Sequence, residues 1–240
     1  MTLASEGKAF ILQAGDCAER FLDSTKSCIS TKVGALQKIS LILQAGQSKP
    51  IITIGRIAGQ YAKPRSAIFE ETPEGQIYNF RGENINSFDR SERRAVPERL
   101  EQGYLLAKQS HSYIKDYLNS FSLKKQQQEL ILFLKSKNIS RSFLNTTEDL
   151  LQKRTKEPFF ISHEALHLPL ESALTHKNPQ DDLSYNLGAH TLWVGERTRF
   201  LQSAHIEYAR GIQNPIGIKI SHETTSKELI ALVKRLNPEN

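Results

Sequence analysis

Cysteine is scarce: Cys17 and Cys28 are the only two in 240 residues. Two thiols eleven positions apart match neither a disulfide framework nor a zinc-knuckle spacing. The ordinary expectation for a single cysteine is a small buried hydrophobe; Cys28 is read that way. Long apolar runs are missing too. No stretch approaches the roughly 20 residues that span a bilayer, and the short run from Ala9 to Leu12 gives way at once to polar residues, unlike a signal peptide. There is no fixed-period repeat and no low-complexity tract. These absences argue against a disulfide-stapled domain, a membrane span and a repeat array, and the expectation is a soluble cytoplasmic protein with no membrane partner.

The composition is that of a globular chain, 38% hydrophobic and 24% charged, long enough to bury a core as one domain over residues 1–240. Net charge is +6. A basic chain can meet nucleic acid, an anionic membrane or phosphorylated small molecules. Nucleic-acid binding calls for clustered cations interleaved with aromatics, whereas here Lys and Arg are scattered beside glycines and strand-like segments. A phosphate pocket suits that pattern better, and no nucleic-acid partner is expected.

Short β-like runs alternate with helical patterns. Strands are expected at Phe10-Ile11-Leu12-Gln13, Pro50-Ile51-Ile52-Thr53-Ile54-Gly55, Phe159-Phe160-Ile161, Thr191-Leu192-Trp193-Val194 and Ile216-Gly217-Ile218-Lys219-Ile220. Apolar residues at Val33, Leu36, Ile39, Ile42 and Leu43 predict a helix over 30–43, with Ser30 as N-cap and Gly46 as stop. Residues 59–97 read as a loop rich in glycine, proline and charge, of the length that is usually functional or disordered. From Pro97, placed as an N1 residue, to about Lys137 a stripe of Leu100, Tyr104, Leu105, Ile114, Tyr117, Leu118 and Phe121 predicts a helix packed on the core, inside a helical insertion at about 97–157. Further helices are expected at about 163–176 and 225–236. Strands alternating with helices imply βα units and a parallel sheet of about five strands. Five strands fit either an open sheet or an unfinished barrel, and propensity does not separate the two.

Polar residues gather after these strands. Asp16 and Cys17 follow the first, Arg56 the second, with Lys63-Pro64-Arg65-Ser66 soon after. Ser162, His163 and Glu164 follow the third, Glu196, Arg197 and Arg199 the fourth, and Lys219 lies near the end of the fifth. Ligand sites in α/β folds form at the carboxyl ends of strands, so together these residues make a basic pocket with one soft metal ligand. Each also has a plainer reading. Arg56 and Arg197 read equally as surface or ion-paired arginines, Lys219 as a structural salt bridge inside a strand where a lone charge is costly, and His163 as a satisfied structural histidine. Lys63, Arg65 and Ser66 around a rigid proline suit phosphate, with a solvated loop as the rival. His167, Glu171 and His176 read as helix-surface positions.

Ordered motifs carry a resemblance. Gln13-Ala14-Gly15-Asp16-Cys17-Ala18-Glu19, Gly55-Arg56-Ile57-Ala58-Gly59-Gln60-Tyr61-Ala62-Lys63-Pro64-Arg65-Ser66, Arg81-Gly82-Glu83-Asn84-Ile85-Asn86, Ser162-His163-Glu164-Ala165-Leu166, Trp193-Val194-Gly195-Glu196-Arg197-Thr198-Arg199 and Gly211-Ile212-Gln213-Asn214-Pro215-Ile216-Gly217-Ile218-Lys219 follow one another along essentially the whole chain. In this order they resemble the type II (plant-type) 3-deoxy-D-arabino-heptulosonate 7-phosphate synthases, with Glu83 where that family usually has Asp. The resemblance implies a (β/α)8 TIM barrel, here about strands 1–5. It also implies a transferase that condenses phosphoenolpyruvate with erythrose 4-phosphate in the first step of the shikimate pathway towards aromatic amino acids. It further implies that Cys17 is a ligand for a divalent metal, Mn2+ or Co2+, which polarises the aldehyde. Arg56, Glu196, Arg197 and Lys219 are implied to line the phosphoenolpyruvate site, with Lys219 and Glu196 in catalytic roles. Lys63, Arg65 and Ser66 are implied to face erythrose 4-phosphate. A plant-like parent would place the protein in a plastid, although no transit peptide opens this sequence.

The family's other metal ligands, including the histidine of an Asp-Pro-Met-His-Gly-Asn segment, and a further phosphoenolpyruvate arginine do not occur among these 240 residues. The expectation is therefore a fragment of a synthase, inactive and poorly stable in isolation. Two alternatives are half of a split enzyme whose complementing chain supplies the rest, and a non-catalytic phosphoenolpyruvate-binding module. A homo-oligomer is also compatible with the sequence.

Overall fold

A computed structural model of the chain describes residues 2–46, 49–120, 123–152 and 158–237. After a one-turn helix α1 (Thr2–Ser5), strand β1 (Phe10–Gly15) leads to α2 (Lys26–Gly46) and β2 (Ile51–Arg56). A hairpin, β3 (Phe69–Thr72) and β4 (Gly75–Tyr78), precedes three helices, α3 (Glu98–Ser120), α4 (Leu123–Lys135) and α5 (Arg141–Gln152). Then come β5 (Phe159–Glu164), α6 (Leu168–Leu174), the short pair β6 (Thr175–Lys177) and β7 (Ser184–Asn186), β8 (Thr191–Val194), α7 (Ala204–Arg210), β9 (Ile216–Ile218) and α8 (Ser226–Leu236).

Five strands form one sheet in the order β1-β2-β5-β8-β9, and the β5/β8 and β8/β9 registers are parallel. Strand order follows chain order without a reversal. An open doubly wound sheet reverses at a switch point, whereas a barrel adds each βα unit on the same side of the last. The winding is therefore that of a partial (β/α) barrel, which separates the two architectures that strand propensity left open.

The chain divides into two compact units. The first is Met1–Gly15, Thr25–Gly55 and Ser110–Phe160, and the second is Asp16–Ser24, Arg56–Gln109 and Ile161–Asn240. In the first, Leu41 of α2, Leu130 and Leu134 of α4 and Leu151 of α5 form a closed apolar cluster, joined by Ile131, Ile139, Phe143 and Leu144. In the second, Val194 of β8 packs with Ile206 and Ala209 of α7 and Leu232 of α8. The boundaries fall at the end of β1 and within β2 and β5, so the residues just past Gly15, Gly55 and Phe160 belong to the second unit.

Several expected boundaries shift. The first long helix starts at Lys26, so Ser30 is helical rather than its N-cap, while Gly46 ends it as expected. The stretch 59–97 contains the β3/β4 hairpin, whose four-residue strands are too short and too polar to show alternation. Along α3, Ile114 is buried and Tyr117 and Leu118 are half-buried, but Tyr104 and Leu105 are exposed, so only part of the stripe faces a core; Phe121 lies outside the described residues, as do 153–157 of the helical insertion. Cys28 is partly exposed rather than fully buried. The helix expected over 163–176 is confined to α6, because β5 continues through Glu164 and Thr175–Lys177 pairs with β7.

Candidate functional site

Every residue nominated from the sequence falls in the second unit. Arg56 ends β2, and the main chain returns beside the Asp-Cys segment, where Asp16 N–H donates to Arg56 C=O at 3.3 Å. The Arg56 guanidinium lies over the Trp193 ring, 4.7 Å from its centroid. A cation held against an aromatic face keeps its donor edge directed elsewhere, and Arg56 Nε is buried without a protein partner.

Across that stack, Glu164 ends β5 and is 7% exposed. Burial pushes its carboxyl up from the ordinary glutamate range; the charges of Lys219, Arg56 and Arg197 and a hydrogen bond with Trp193 pull the other way without cancelling it. One carboxylate oxygen, Oε1, has no hydrogen-bond partner. A Cβ on Gly195 would overlap that oxygen, so the glycine of the Trp-Val-Gly-Glu-Arg run is what makes room for the Glu164 carboxyl. The sequence reading named Glu164 without giving it a role. Its signal was an acid at a strand end, but the cations that surround it come from three other strand ends.

Lys219 lies one residue past β9, exposed, with its N–H donating to Val194 C=O at 2.9 Å. It does not sit inside an apolar strand as expected, because β9 stops at Ile218. Arg197 is exposed on the 3-10 turn Glu196–Thr198, and its Nε donates to Ser66 Oγ at 2.7 Å. That bond joins two nominees separated by 131 positions. Glu196 Oε1 accepts from Arg199 Nη2 at 2.8 Å and from Ser221 Oγ at 2.9 Å, and its other oxygen is buried without a partner. The Arg199 bond, with help from Ser221 and Lys219, holds its carboxyl below the usual range, so it stands as an anion. Arg65 spends Nε on Phe80 C=O at 2.8 Å, and Lys63 is partly exposed, its N–H donating to Arg81 C=O at 2.8 Å. The Arg81–Asn86 segment presses close: a Cβ on Gly82 would overlap Tyr61 C=O, and Gly82 has φ +104°. Glu83, the departure from the family pattern, is 5% exposed and paired with Arg99, whose Nε also donates to Glu83 C=O at 2.6 Å.

Beneath these groups runs a buried polar scaffold that the sequence reading largely missed. His163 Nε2 lies 3.1 and 3.0 Å from the two Glu171 carboxylate oxygens. Glu171 Oε2 also accepts from Asn186 Nδ2 at 2.8 Å, and Asn186 reaches the Tyr208 hydroxyl at 2.8 Å. Glu171, read from its helical position as a surface residue, is 2% exposed because α6 turns that side inward. His167 accepts from Leu170 N–H as the N-cap of α6, and His176 is exposed in β6. Burial works against the charged form of His163, but the charge and hydrogen bond of Glu171, with the charge of Glu19, outweigh it and raise its pKa above the ordinary histidine value. His163 thus has a buried carboxylate partner on Nε2, while its Nδ1 is buried without a hydrogen-bond partner.

Cys17 is exposed, and among the described residues no three His, Cys, Asp or Glu side chains converge as a cation site requires. The described residues therefore do not make up a complete divalent-metal site. Lys219, Arg56 and Arg197 lie near enough for their charges to act on the buried carboxyl of Glu164, and Ser66 is tied to Arg197. Lys63 and Arg65 flank this group along the loop, with no contact to Arg197 or Lys219 among those described.

A constellation of cations at strand ends on barrel-type winding is where comparison with known proteins becomes informative. The sequence profile of the class-II DAHP synthetase family matches residues 1–240. The chain is 36% identical over 267 aligned residues to a phospho-2-dehydro-3-deoxyheptonate aldolase of Neurospora crassa, covering 98% of this chain and 55% of the relative. It is 35% identical over 260 residues to the protein of the same name from Streptomyces coelicolor, covering 100% of this chain and 57% of the relative. The chain thus spans about half the length of the curated relatives it matches. With the profile covering every residue and the motifs in their expected places, the chain belongs to the class-II DAHP synthetase family.

Proposed function

We propose that this chain carries the phosphoenolpyruvate-binding part of a 3-deoxy-7-phosphoheptulonate synthase, an enzyme that joins phosphoenolpyruvate to erythrose 4-phosphate. The observation that carries the reading is the buried Glu164 carboxyl among Lys219, Arg56 and Arg197. Three cations in one place repel one another and attract a multiply charged anion. Phosphoenolpyruvate brings a carboxylate and a phosphate, each suited to the planar fork of an arginine. In this reading Arg56, Arg197 and Lys219 hold those two groups, and the free oxygen of Glu196 orients a donor or water beside them. Lys63, Arg65 and Ser66 extend the basic surface towards the phosphate of erythrose 4-phosphate.

Fixed charges of this kind bind and align the anions before reaction and face whatever negative charge develops during it. Lys219 is the one flexible cation of the set and is proposed to follow that charge. Glu164, with its pKa raised, is placed to hold or release a proton next to the bound anion. Cys17 as a thiolate ligand of Mn2+ or Co2+ rests on the Asp-Cys motif alone.

Isothermal titration of the chain with phosphoenolpyruvate, beside a Lys219→Ala/Arg197→Ala variant, tests the reading. The expected result is saturable binding that weakens well over tenfold in the variant, since each of the two charge-assisted contacts removed is worth about tenfold or more. No binding by the wild-type chain, or equal binding by the variant, would refute it. A parallel turnover assay with erythrose 4-phosphate distinguishes a synthase from a binding module.

A further inference from the structure

We infer that Glu19 is a positioning residue that holds the loop between Arg56 and Ser66 in its ligand-ready curl. The inference rests on the phosphate-site reading of that loop. Both Glu19 carboxylate oxygens are spent on it: Oε1 accepts from Ala58 N–H at 3.0 Å, and Oε2 from Gly59 N–H at 2.9 Å and Gln60 N–H at 2.7 Å. Glu19 N–H in turn donates to Gln60 C=O at 2.7 Å. Three successive main-chain donors curled around one anion form a nest, the same backbone device that binds phosphates. Here the anion is the chain's own, sealed in at 2% exposure.

The curl is not one this sequence adopts by preference. Ala58 stands at φ +68°, a left-handed conformation that costs an L-residue with a Cβ. Ala58 and Gln60 are each 1% exposed, so without Glu19 their N–H groups would be buried donors with no acceptor. The clamp also extends beyond the loop. The Gln60 side chain accepts from Glu164 N–H at 2.8 Å and donates to Ala62 C=O at 3.1 Å. One carboxylate thus fixes the backbone between Arg56 and Lys63 and, through Gln60, the residue whose carboxyl faces the three cations. Glu19 itself is sealed away from any ligand and acts through these neighbours.

Three full-chain variants test this: Glu19→Gln, which puts an amide donor against three N–H groups; Glu19→Asp, which keeps the charge but shortens the reach; and Glu19→Gln/Ala58→Gly, which removes the left-handed cost. Amide hydrogen exchange at residues 58–60 and calorimetric binding of inorganic phosphate and phosphoenolpyruvate are measured on each, with circular dichroism to verify folding. We expect slow exchange in the wild type, fast exchange in Glu19→Gln with affinity reduced about tenfold, a smaller loss in Glu19→Asp, and partial recovery with Ala58→Gly. Rapid wild-type exchange at the three amides, or a folded Glu19→Gln with unchanged affinity, would overturn the inference. Should Glu19→Gln not fold, a Glu19→Asp chain with wild-type exchange and affinity would do the same. Wild-type chain that protects the three amides yet binds neither probe would instead refute the phosphate-site reading.

Discussion

Glu164 is held in an environment that pulls on it from two directions: burial favours the protonated carboxyl, while Lys219, Arg56 and Arg197 favour the carboxylate. A balance of this kind responds to a further charge. An anion arriving among the three cations offsets their field and raises the Glu164 pKa again, so binding and proton uptake are linked. The expected outcome is that calorimetric titration of phosphoenolpyruvate, repeated in buffers of different ionisation enthalpy, reveals proton uptake that vanishes in Glu164→Gln. Equal proton uptake in the variant would remove Glu164 from this role. Neighbouring Glu196 differs because Arg199 and Ser221 bind its charged form directly. Residue type was legible at both positions; the opposite electrostatic settings were not, because they depend on which side chains other strands deliver.

At the scale of elements, the local signals were strongest where they act within a few residues. Helix α8 begins with a capping box, in which Thr225 Oγ1 accepts from Glu228 N–H at 3.2 Å and Thr225 N–H donates to Glu228 Oε2 at 2.9 Å. Its start was readable within one residue. Replacing Thr225 by Ala is expected to lower stability by about 1 kcal/mol, read as a fall in the denaturation midpoint without loss of phosphoenolpyruvate binding. The β8 strand was read to the residue because Thr-Leu-Trp-Val is apolar and ends at glycine. In contrast, β5 runs on through Ser162, His163 and Glu164. Polar residues that look like the start of a loop remain in the strand because β8 pairs with them, Glu171 meets His163 Nε2 and Gln60 accepts from Glu164 N–H. The β3/β4 hairpin left only the turn signal of Thr72-Pro73-Glu74-Gly75, and the contact between Arg197 and Ser66 left none.

At the scale of the molecule, the buried His163–Glu171 pair of the second unit should make stability depend on pH. His163 carries a raised pKa beside Glu171 and Glu19. A folded imidazole that holds its proton more tightly than the unfolded one adds stability in full below the unfolded value of about 6.5, and that contribution is lost as pH rises through the higher folded value. The thermal midpoint is therefore expected to fall as pH is raised from about 6.5 through that window, and His163→Gln should flatten this dependence. A wild-type midpoint that rises over the window would contradict the pairing. What the sequence determined by itself was the list of parts: an α/β alternation, a family motif series and a surplus of cations after strands, all encoded in spacing and residue type along the chain. Only the tertiary structure decided the singly wound strand order, the burial of Glu19, Glu164 and Glu171, and the gathering of Arg56, Arg197 and Lys219 around one carboxyl. Those depend on hydrogen bonds and charges between residues on different elements, from Glu19 with Ala58 to Gln60 with Glu164, 104 positions apart, which no local pattern can record.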